Sequence, residues 1–290
     1  MTTARALLIT MRPKQWTKNL IVFAPLIFAG EITLASSDLR TIAAFAVFCL
    51  ISSVVYIAND LVDIELDRAH ETKRTRPLAA GELAPHTAVS ALVVLLFAAL
   101  GGAFALGVAF GLVSAGYLLL QTLYTFWLKH EVILDVMSIA AGFVLRAFAG
   151  TVVIGLSGSP WLYTCAALLA LFLGLAKRRH ELTLLEDGAC DHRPSLEHYS
   201  APLIDAMLSA ITSATIVTYA LYTFFSDTAR ENQYLMLTVP FVVYGLFRYL
   251  YLVHKHNLGG SPEEILLTDK PLIINIALWL AAVGVVLYLT

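Results

Sequence analysis

The sequence predicts an all-α, polytopic membrane protein with a single integral membrane domain over residues 1–290. Hydrophobic residues make up 59% of the chain and charged residues only 14%, and the mean hydropathy is +0.77. This composition excludes an ordinary soluble domain. Apolar stretches long enough to cross a hydrocarbon core of about 30 Å recur along the whole chain.

These stretches predict about nine transmembrane helices. They lie near residues 19–37, 39–60, 86–106, 107–127, 132–155, 160–176, 203–226, 234–253 and 271–289. Only a glycine-rich segment at 101–111 separates the third from the fourth, so that division is the least defined. Arg12 and Lys14 interrupt the first apolar residues, so we expect no cleavable signal peptide. The first span would then act as the insertion signal.

The distribution of Lys and Arg predicts the orientation in the plasma (inner) membrane. Fifteen cations lie before the first span or in connections on that same side: Arg5, Arg12, Lys14, Lys18, Arg68, Lys73, Arg74, Arg76, Lys129, Lys177, Arg178, Arg179, Arg193, Lys255 and Lys270. Only Arg40 and Arg230 fall in the opposite loops. By the positive-inside rule, the N-terminus and the charge-rich connections are expected to be cytoplasmic.

An acidic segment follows the second apolar stretch. In NDLVDIELD, residues 59–67, Asn59, Asp63 and Asp67 recur every four residues, with Asp60 one step round the same helix face. Carboxylates at this spacing repel each other by about 0.2–0.5 kcal/mol per pair. A divalent cation bound between them would make the arrangement favourable. Mg²⁺ prefers oxygen ligands and shares them with substrate phosphates. The segment predicts a Mg²⁺ site with Asn59, Asp63 and Asp67 as ligands; a solvated helix end is the alternative.

Basic residues come directly after the acids. Arg68, Lys73, Arg74 and Arg76 lie within nine positions. Arg offers a planar fork that matches phosphate oxygens, and Lys offers a compact positive charge. Acid followed by base therefore predicts a clamp in which carboxylates hold a metal and cations hold the phosphates.

Charges also occur inside or at the ends of later spans. Asp135 and Arg146 are eleven residues apart, so on a helix they share nearly one face about 16 Å apart along the axis. Charges within a span are costly, and we expect both to line a polar cleft, with a structural role as the alternative. Lys177, Arg178 and Glu181 end the sixth span, and Lys177 can pair with Glu181 at i, i+4. The alternative there is the ordinary basic end of a cytoplasmic helix.

The cysteines indicate no further chemistry. Cys49, Cys165 and Cys190 have no paired spacing, so neither a disulfide nor a zinc site is expected.

The acidic segment at 59–67 resembles the first aspartate-rich motif of the UbiA superfamily of intramembrane prenyltransferases. Further segments resemble one branch of it, decaprenyl-phosphate phosphoribosyltransferase: MRPKQWTKN at 11–19, LKHEVILDVMSIAAGFVLRAFAG at 128–150, KRRHEL at 177–182, RPSLEHY at 193–199 and SPEEILLTDKPL at 261–272. Together they cover nearly the whole chain.

The resemblance implies a UbiA-like bundle with a cytoplasm-facing active-site cleft and Mg²⁺ as cofactor. It also implies transfer of 5-phosphoribose from phosphoribosyl diphosphate (PRPP) to a polyprenyl phosphate for cell-wall polysaccharide synthesis, with no nucleic-acid partner. The residues implied are catalytic Asp60, Asp63, Asp67, Lys177 and Arg178; donor-binding Lys73, Arg74, Arg76, Asp135, Arg146 and Glu181; and lipid-phosphate-binding Arg12, Lys14 and Lys18. Phe23, Phe28, Phe143 and Phe148 are candidates to line the path of the lipid tail.

The chain departs from ordinary prenyltransferases at the end of the sixth span. Their second aspartate-rich motif is replaced by Lys177, Arg178 and Glu181, although Asp187 and Asp191 form a D-x-x-x-D farther on. Two other functions stay open. One is a UbiA-type prenyltransferase with an aromatic acceptor. The other is a transporter that uses the charges inside the fifth span, for which a repeat with broken helices would be expected.

Overall fold

A computed structural model describes residues 2–28, 35–69, 73–186, 194–256, 259–260 and 262–289. Within these residues all regular structure is helical. The α-helices are α1 Thr3–Thr10, α2 Ala24–Phe28, α3 Ala35–Val62, α4 Ile64–Ala69, α5 Pro85–Leu106, α6 Val108–Phe126, α7 Leu134–Ile154, α8 Pro160–Glu186, α9 Ala201–Phe225, α10 Asp227–Glu231, α11 Val239–His256, α12 Pro262–Thr268 and α13 Lys270–Leu289. Short 3-10 helices cover Pro13–Phe23, Lys73–Thr75, Leu128–His130, Pro194–His198 and Gln233–Thr238.

Eight helical segments in the described ranges are long and apolar enough to cross a membrane. They are Ser37–Val62, Pro85–Leu106, Val108–Phe126, Leu134–Ile154, Pro160–Thr183, Ala201–Phe225, Gln233–His256 and Lys270–Leu289. They confirm the second to ninth predicted spans. The division between the third and fourth lies at Gly107, whose φ of +146° favours glycine. The first predicted span begins as a 3-10 helix, continues as α2, and then runs into residues 29–34, outside the described residues.

Arg40, one of two cations predicted on the far side of the membrane, caps two other helices. Its Nε donates to the Val153 carbonyl oxygen at 2.7 Å, and its Nη2 donates to the Leu106 carbonyl oxygen at 2.9 Å. These carbonyls lie in the last turn of α7 and α5, where the helix dipole favours a cation. A structural role therefore accounts for this exception to the charge asymmetry.

Helix α7 is central to the bundle because both large apolar clusters include its residues. Val136 belongs to a cluster with α8, α9 and α11, and Val153 belongs to a cluster with α3, α5 and α6. The N-terminal 3-10 helix packs closely on α7 at Gly150, where an added Cβ would overlap the Val22 carbonyl oxygen. This close contact holds the N-terminal segment against the helix that carries Asp135 and Arg146.

Candidate active site

The acidic motif spans a break between two helices. Helix α3 ends at Val62 and α4 begins at Ile64, yet helical hydrogen bonds continue across the break. The Asp63 N–H donates to the Asn59 carbonyl oxygen at 2.9 Å, and the Asp67 N–H donates to the Asp63 carbonyl oxygen at 2.8 Å. The predicted helical spacing is therefore present in the main chain.

The side chains of the motif divide into two sets, and the first set faces arginines. Asp60 and Asp67 are 2% and 4% exposed. Arg76 Nη1 lies 3.2 Å from Asp60 Oδ1 and 2.7 Å from Asp67 Oδ2, so one guanidinium bridges both carboxylates. Arg12 also binds Asp60, and its guanidinium lies 5.0 Å from the centroid of the Tyr56 ring. Two buried acids are thus balanced by two arginines.

The second set, Asn59 and Asp63, faces the end of α6 and the 3-10 helix that follows it. Thr125 Oγ1 donates to Asn59 Oδ1 at 2.7 Å, and Lys129 Nζ lies 3.9 Å from Asp63 Oδ1. The sequence indicated Lys129 only as evidence for the orientation of the protein in the membrane, and it did not indicate Thr125 at all. Both contacts join residues 66 positions apart, which no local spacing could indicate.

The donor set for a metal differs from the predicted one. Across the described ranges, no three His, Cys, Asp or Glu side chains lie close enough to hold a metal ion together. Asp67, the predicted third ligand, faces Arg76. Asn59 and Asp63 offer an amide and a carboxylate oxygen, and Mg²⁺ is usually held by one or two carboxylates with water and substrate phosphates completing its shell. This smaller set therefore fits Mg²⁺.

The three cations predicted to bind the donor lie in different environments. The 3-10 helix Lys73–Thr75 exposes Arg74 and partly buries Lys73. Arg76 follows this helix and binds the acids. The structure therefore brings Arg76 directly to the motif.

The three cations predicted to bind a lipid phosphate lie at the start of the N-terminal 3-10 helix. Arg12 has a left-handed backbone, with φ of +53°, and its side chain reaches Asp60. Lys14 is exposed, and Lys18 donates to the Gln15 side chain. This segment therefore contributes Arg12 to the motif and leaves Lys14 exposed.

Arg178 occupies a buried ionic network. Its side chain is 1% exposed, and its Nε donates to Asp135 Oδ2 at 2.7 Å, where Asp135 is fully buried. Glu181 accepts from Arg178 Nη1 and lies 3.9 Å from Lys177 Nζ, which confirms the predicted pair between Lys177 and Glu181. A guanidinium in this position holds its neighbours rather than an incoming phosphate. The catalytic role expected of Arg178 stays a prediction, and in this structure its side chain is bound by Asp135 and Glu181.

Arg146 is buried among neutral groups. Its Nε donates to Asn19 Oδ1 at 2.9 Å, it also donates to the Tyr117 hydroxyl, and it lies 5.2 Å from the centroid of the Phe143 ring. Within the described residues it has no carboxylate partner. Asp135 and Arg146 therefore make their hydrogen bonds with separate partners, and their shared helix face does not join them in one network. The D-x-x-x-D at Asp187 and Asp191 lies outside the described residues.

An apolar cavity of about 440 Å³ lies between the N-terminal helices, α8, α11 and α13. Its walls include Leu20, Ile21, Phe28, Leu169, Phe172, Leu246, Tyr249 and Trp279. Of the four phenylalanines predicted to line a lipid path, Phe28 lines this cavity. Phe23 instead packs on Phe45 and Phe148 packs on Tyr163.

The family model described as the UbiA prenyltransferase family matches residues 20–263. The chain belongs to this family. Two relatives named decaprenyl-phosphate phosphoribosyltransferase, from Mycolicibacterium smegmatis and Corynebacterium glutamicum, are each 35% identical to this UbiA protein. The alignments cover 96% of this chain and 91% and 86% of those relatives.

A UbiA homolog from Archaeoglobus fulgidus, solved bound to GPP and Mg²⁺, has the same fold. It matches this UbiA protein with a TM-score of 0.74 at 19% identity and covers 97% of this chain and 99% of that one. The predicted fold class and family resemblance are thereby confirmed.

Proposed function

We propose that this UbiA protein transfers 5-phosphoribose from PRPP to a polyprenyl phosphate and releases diphosphate. The observation that carries the proposal is that oxygen ligands and a cation lie side by side, with Asn59 bound by Thr125 and Asp63 beside Lys129. Full-length relatives that carry the name decaprenyl-phosphate phosphoribosyltransferase support the choice of substrates.

Charge favours this reaction over prenyl transfer to an aromatic acceptor. Donor and acceptor are both phosphate anions, so the site needs positive charge for each. At the end of α8, where ordinary prenyltransferases are expected to have further aspartates, this chain has Lys177 and Arg178. Arg178 is paired with the nearby acids Asp135 and Glu181, so Lys177, whose side chain is 42% exposed, is the cation that can meet an anionic acceptor. No acidic cluster of three is present there among the described residues. That region therefore suits an anionic acceptor.

Asn59 and Asp63 would hold Mg²⁺, with Asp67 joining if Arg76 turns toward a phosphate. Bound there, the ion would neutralise negative charge on the departing diphosphate. Lys129, Lys73, Arg74 and Arg76 would hold the phosphates of the donor by preorganised positive charge. Asp60, buried against two arginines, would keep those guanidinium groups in place.

The reaction needs no strong base. An anionic oxygen of the lipid phosphate forms a bond to C1 of the ribose. The bond from C1 to the diphosphate oxygen breaks, and its electron pair leaves with diphosphate. Because a phosphate oxygen is already anionic near neutral pH, alignment of the reactants contributes more than proton transfer.

The acceptor would enter from the membrane, with its phosphate at the cytoplasmic face. Lys14, Lys18 and Lys177 are the cations assigned to that phosphate, with Arg12 nearby. Leu20, two residues after Lys18 on the same 3-10 helix, lines the apolar cavity. The first isoprene units would lie in this cavity and the rest of the tail among the lipids.

The test supplies purified protein with labelled PRPP, Mg²⁺ and polyprenyl phosphate, followed by extraction of labelled lipid. Asp63→Asn should abolish Mg²⁺-dependent transfer while the protein stays folded in detergent. Asp227→Asn is the matched control, because that side chain is 99% exposed and pairs only weakly with Arg230. Prenyl transfer from a polyprenyl diphosphate to an aromatic acceptor, without phosphoribosyl transfer, would refute the proposal. Full turnover by Asp63→Asn would refute the assigned site.

A further inference from the structure

The connection between α6 and α7 contains a strained turn. Ile133 has φ of +69° and ψ of −47°, and the Leu134 N–H donates to the Val132 carbonyl oxygen at 2.8 Å. This is a three-residue γ-turn with a positive φ at its centre, a rare and strained conformation. A β-branched residue is especially disfavoured there. The Ile133 side chain is 47% exposed, so burial of that side chain does little to offset the strain.

Tyr199, from the segment between α8 and α9, holds this turn. Its hydroxyl accepts a hydrogen bond from the Ile133 N–H at 2.8 Å and donates to Asp135 Oδ1 at 3.0 Å. Arg178 Nε binds the other oxygen of Asp135. Burial raises the pKa of Tyr199 to about 12, so its hydroxyl keeps its proton at neutral pH. The contact to the strained turn is thus anchored in a buried ionic network.

The turn lies close to Lys129 along the chain. The 3-10 helix Leu128–His130 ends three residues before Ile133, and it carries Lys129 to within 3.9 Å of Asp63. A different conformation at Ile133 would change the angle at which this short helix joins α7. Strained residues persist only where the surrounding structure over-determines them, and they concentrate at functional sites.

We propose that Tyr199 is a positioning residue, whose hydroxyl holds the strained turn at Ile133 so that Lys129 stays against the acidic motif. Its expected effect on turnover rests on the proposed function, whereas its effect on the turn does not. The segment before α9 would therefore belong to the active site, although it lies more than a hundred residues from the motif along the chain.

The test removes the Tyr199 hydroxyl in one variant and then relieves the strain at Ile133 in a second variant. Tyr199→Phe keeps the ring in the apolar core, and we expect faster amide exchange over residues 128–135 and a loss of turnover of about 10- to 100-fold, as for a small misplacement of a binding group. Glycine adopts positive φ without the steric cost. Ile133→Gly added to Tyr199→Phe should therefore recover most of the turnover. Tyr222→Phe is the matched control, since Tyr222 is similarly buried near the far end of α9.

Rescue by Ile133→Gly is the result that a purely packing role of Tyr199 would not produce. Unchanged exchange over residues 128–135 in Tyr199→Phe, or a loss of turnover that Ile133→Gly does not recover, would overturn the proposal. If Tyr199→Phe does not fold, the double variant should fold, and its failure would also count against the proposal. If the unmodified protein transfers no phosphoribose, the proposed function fails, while the exchange data still decide the role of Tyr199.

Discussion

Removing Arg178 should destabilise the protein far more than removing an exposed arginine. Arg178 and Asp135 are 1% and 0% exposed, and their Nε and Oδ2 atoms lie 2.7 Å apart. Arg178→Met would leave the Asp135 carboxylate buried with the Tyr199 hydroxyl as its one remaining side-chain partner in the described residues. Breaking a buried pair in this way typically costs about 3–5 kcal/mol.

The expected loss of stability in Arg178→Met comes from the unpaired charge on Asp135. A second substitution can test whether this charge is the cause. Asp135→Asn in the Arg178→Met background removes the charge and keeps an oxygen that accepts from Tyr199. Glu181 still has Lys177 3.9 Å away in both variants. Replacing both members of a buried pair is often close to neutral, so the double variant should be more stable than Arg178→Met alone.

Thermal and denaturant unfolding in detergent would measure the stabilities of the unmodified protein, the single variant and the double variant. Arg230→Met is the control, because the Arg230 and Asp227 side chains are 75% and 99% exposed and lie 3.6 Å apart. An exposed pair of this kind contributes little to stability. The reasoning would be refuted if Arg178→Met were as mild as Arg230→Met, or if the double variant were less stable than the single one.

Three further outcomes follow from other contacts. Gly150→Ala should destabilise the fold in detergent, because the new Cβ would overlap a main-chain carbonyl of the N-terminal helix, whereas Gly116→Ala meets open space and should be neutral. Thr125→Val removes the hydroxyl that orients the motif's asparagine, and the Mg²⁺ concentration for half-maximal transfer should rise by about 10-fold or more. Arg248 holds the pKa of Asp269 below its ordinary value. This pair therefore stabilises the protein above about pH 4, and the stability difference from Asp269→Asn should shrink as the pH falls through the lowered pKa.

Local patterns in the chain predicted the helices and the spacing of the acidic motif. Hydropathy determined eight of the spans closely, since a helix in lipid must be apolar along its length whatever its neighbours are. The four-residue spacing of Asn59, Asp63 and Asp67 is present in the main-chain hydrogen bonds even across the break at Asp63. The pair between Lys177 and Glu181 was equally predictable, because it depends on one helix only.

The partners of the charged side chains could not be predicted in the same way. Asp135 and Arg146 share a face of α7, yet one binds Arg178 and the other binds Asn19, 127 residues away. Helical periodicity indicates the direction in which a side chain points from its helix. The group that the side chain contacts depends on which other helix packs on that side. For this reason the sequence could not indicate that Arg178 is paired with Asp135, 43 residues away.

By itself, the order of residues determined the membrane class, the family, the course of the helices and the spacing of the acidic motif. Folding in three dimensions decided which acids are paired with arginine, that Asn59 and Asp63 face Thr125 and Lys129, and that the Tyr199 hydroxyl binds the strained turn at Ile133. The physical reason is one of range. Hydrophobicity and helix geometry act over a few neighbouring residues, whereas the pairing of buried charges depends on contacts between segments that only packing brings together.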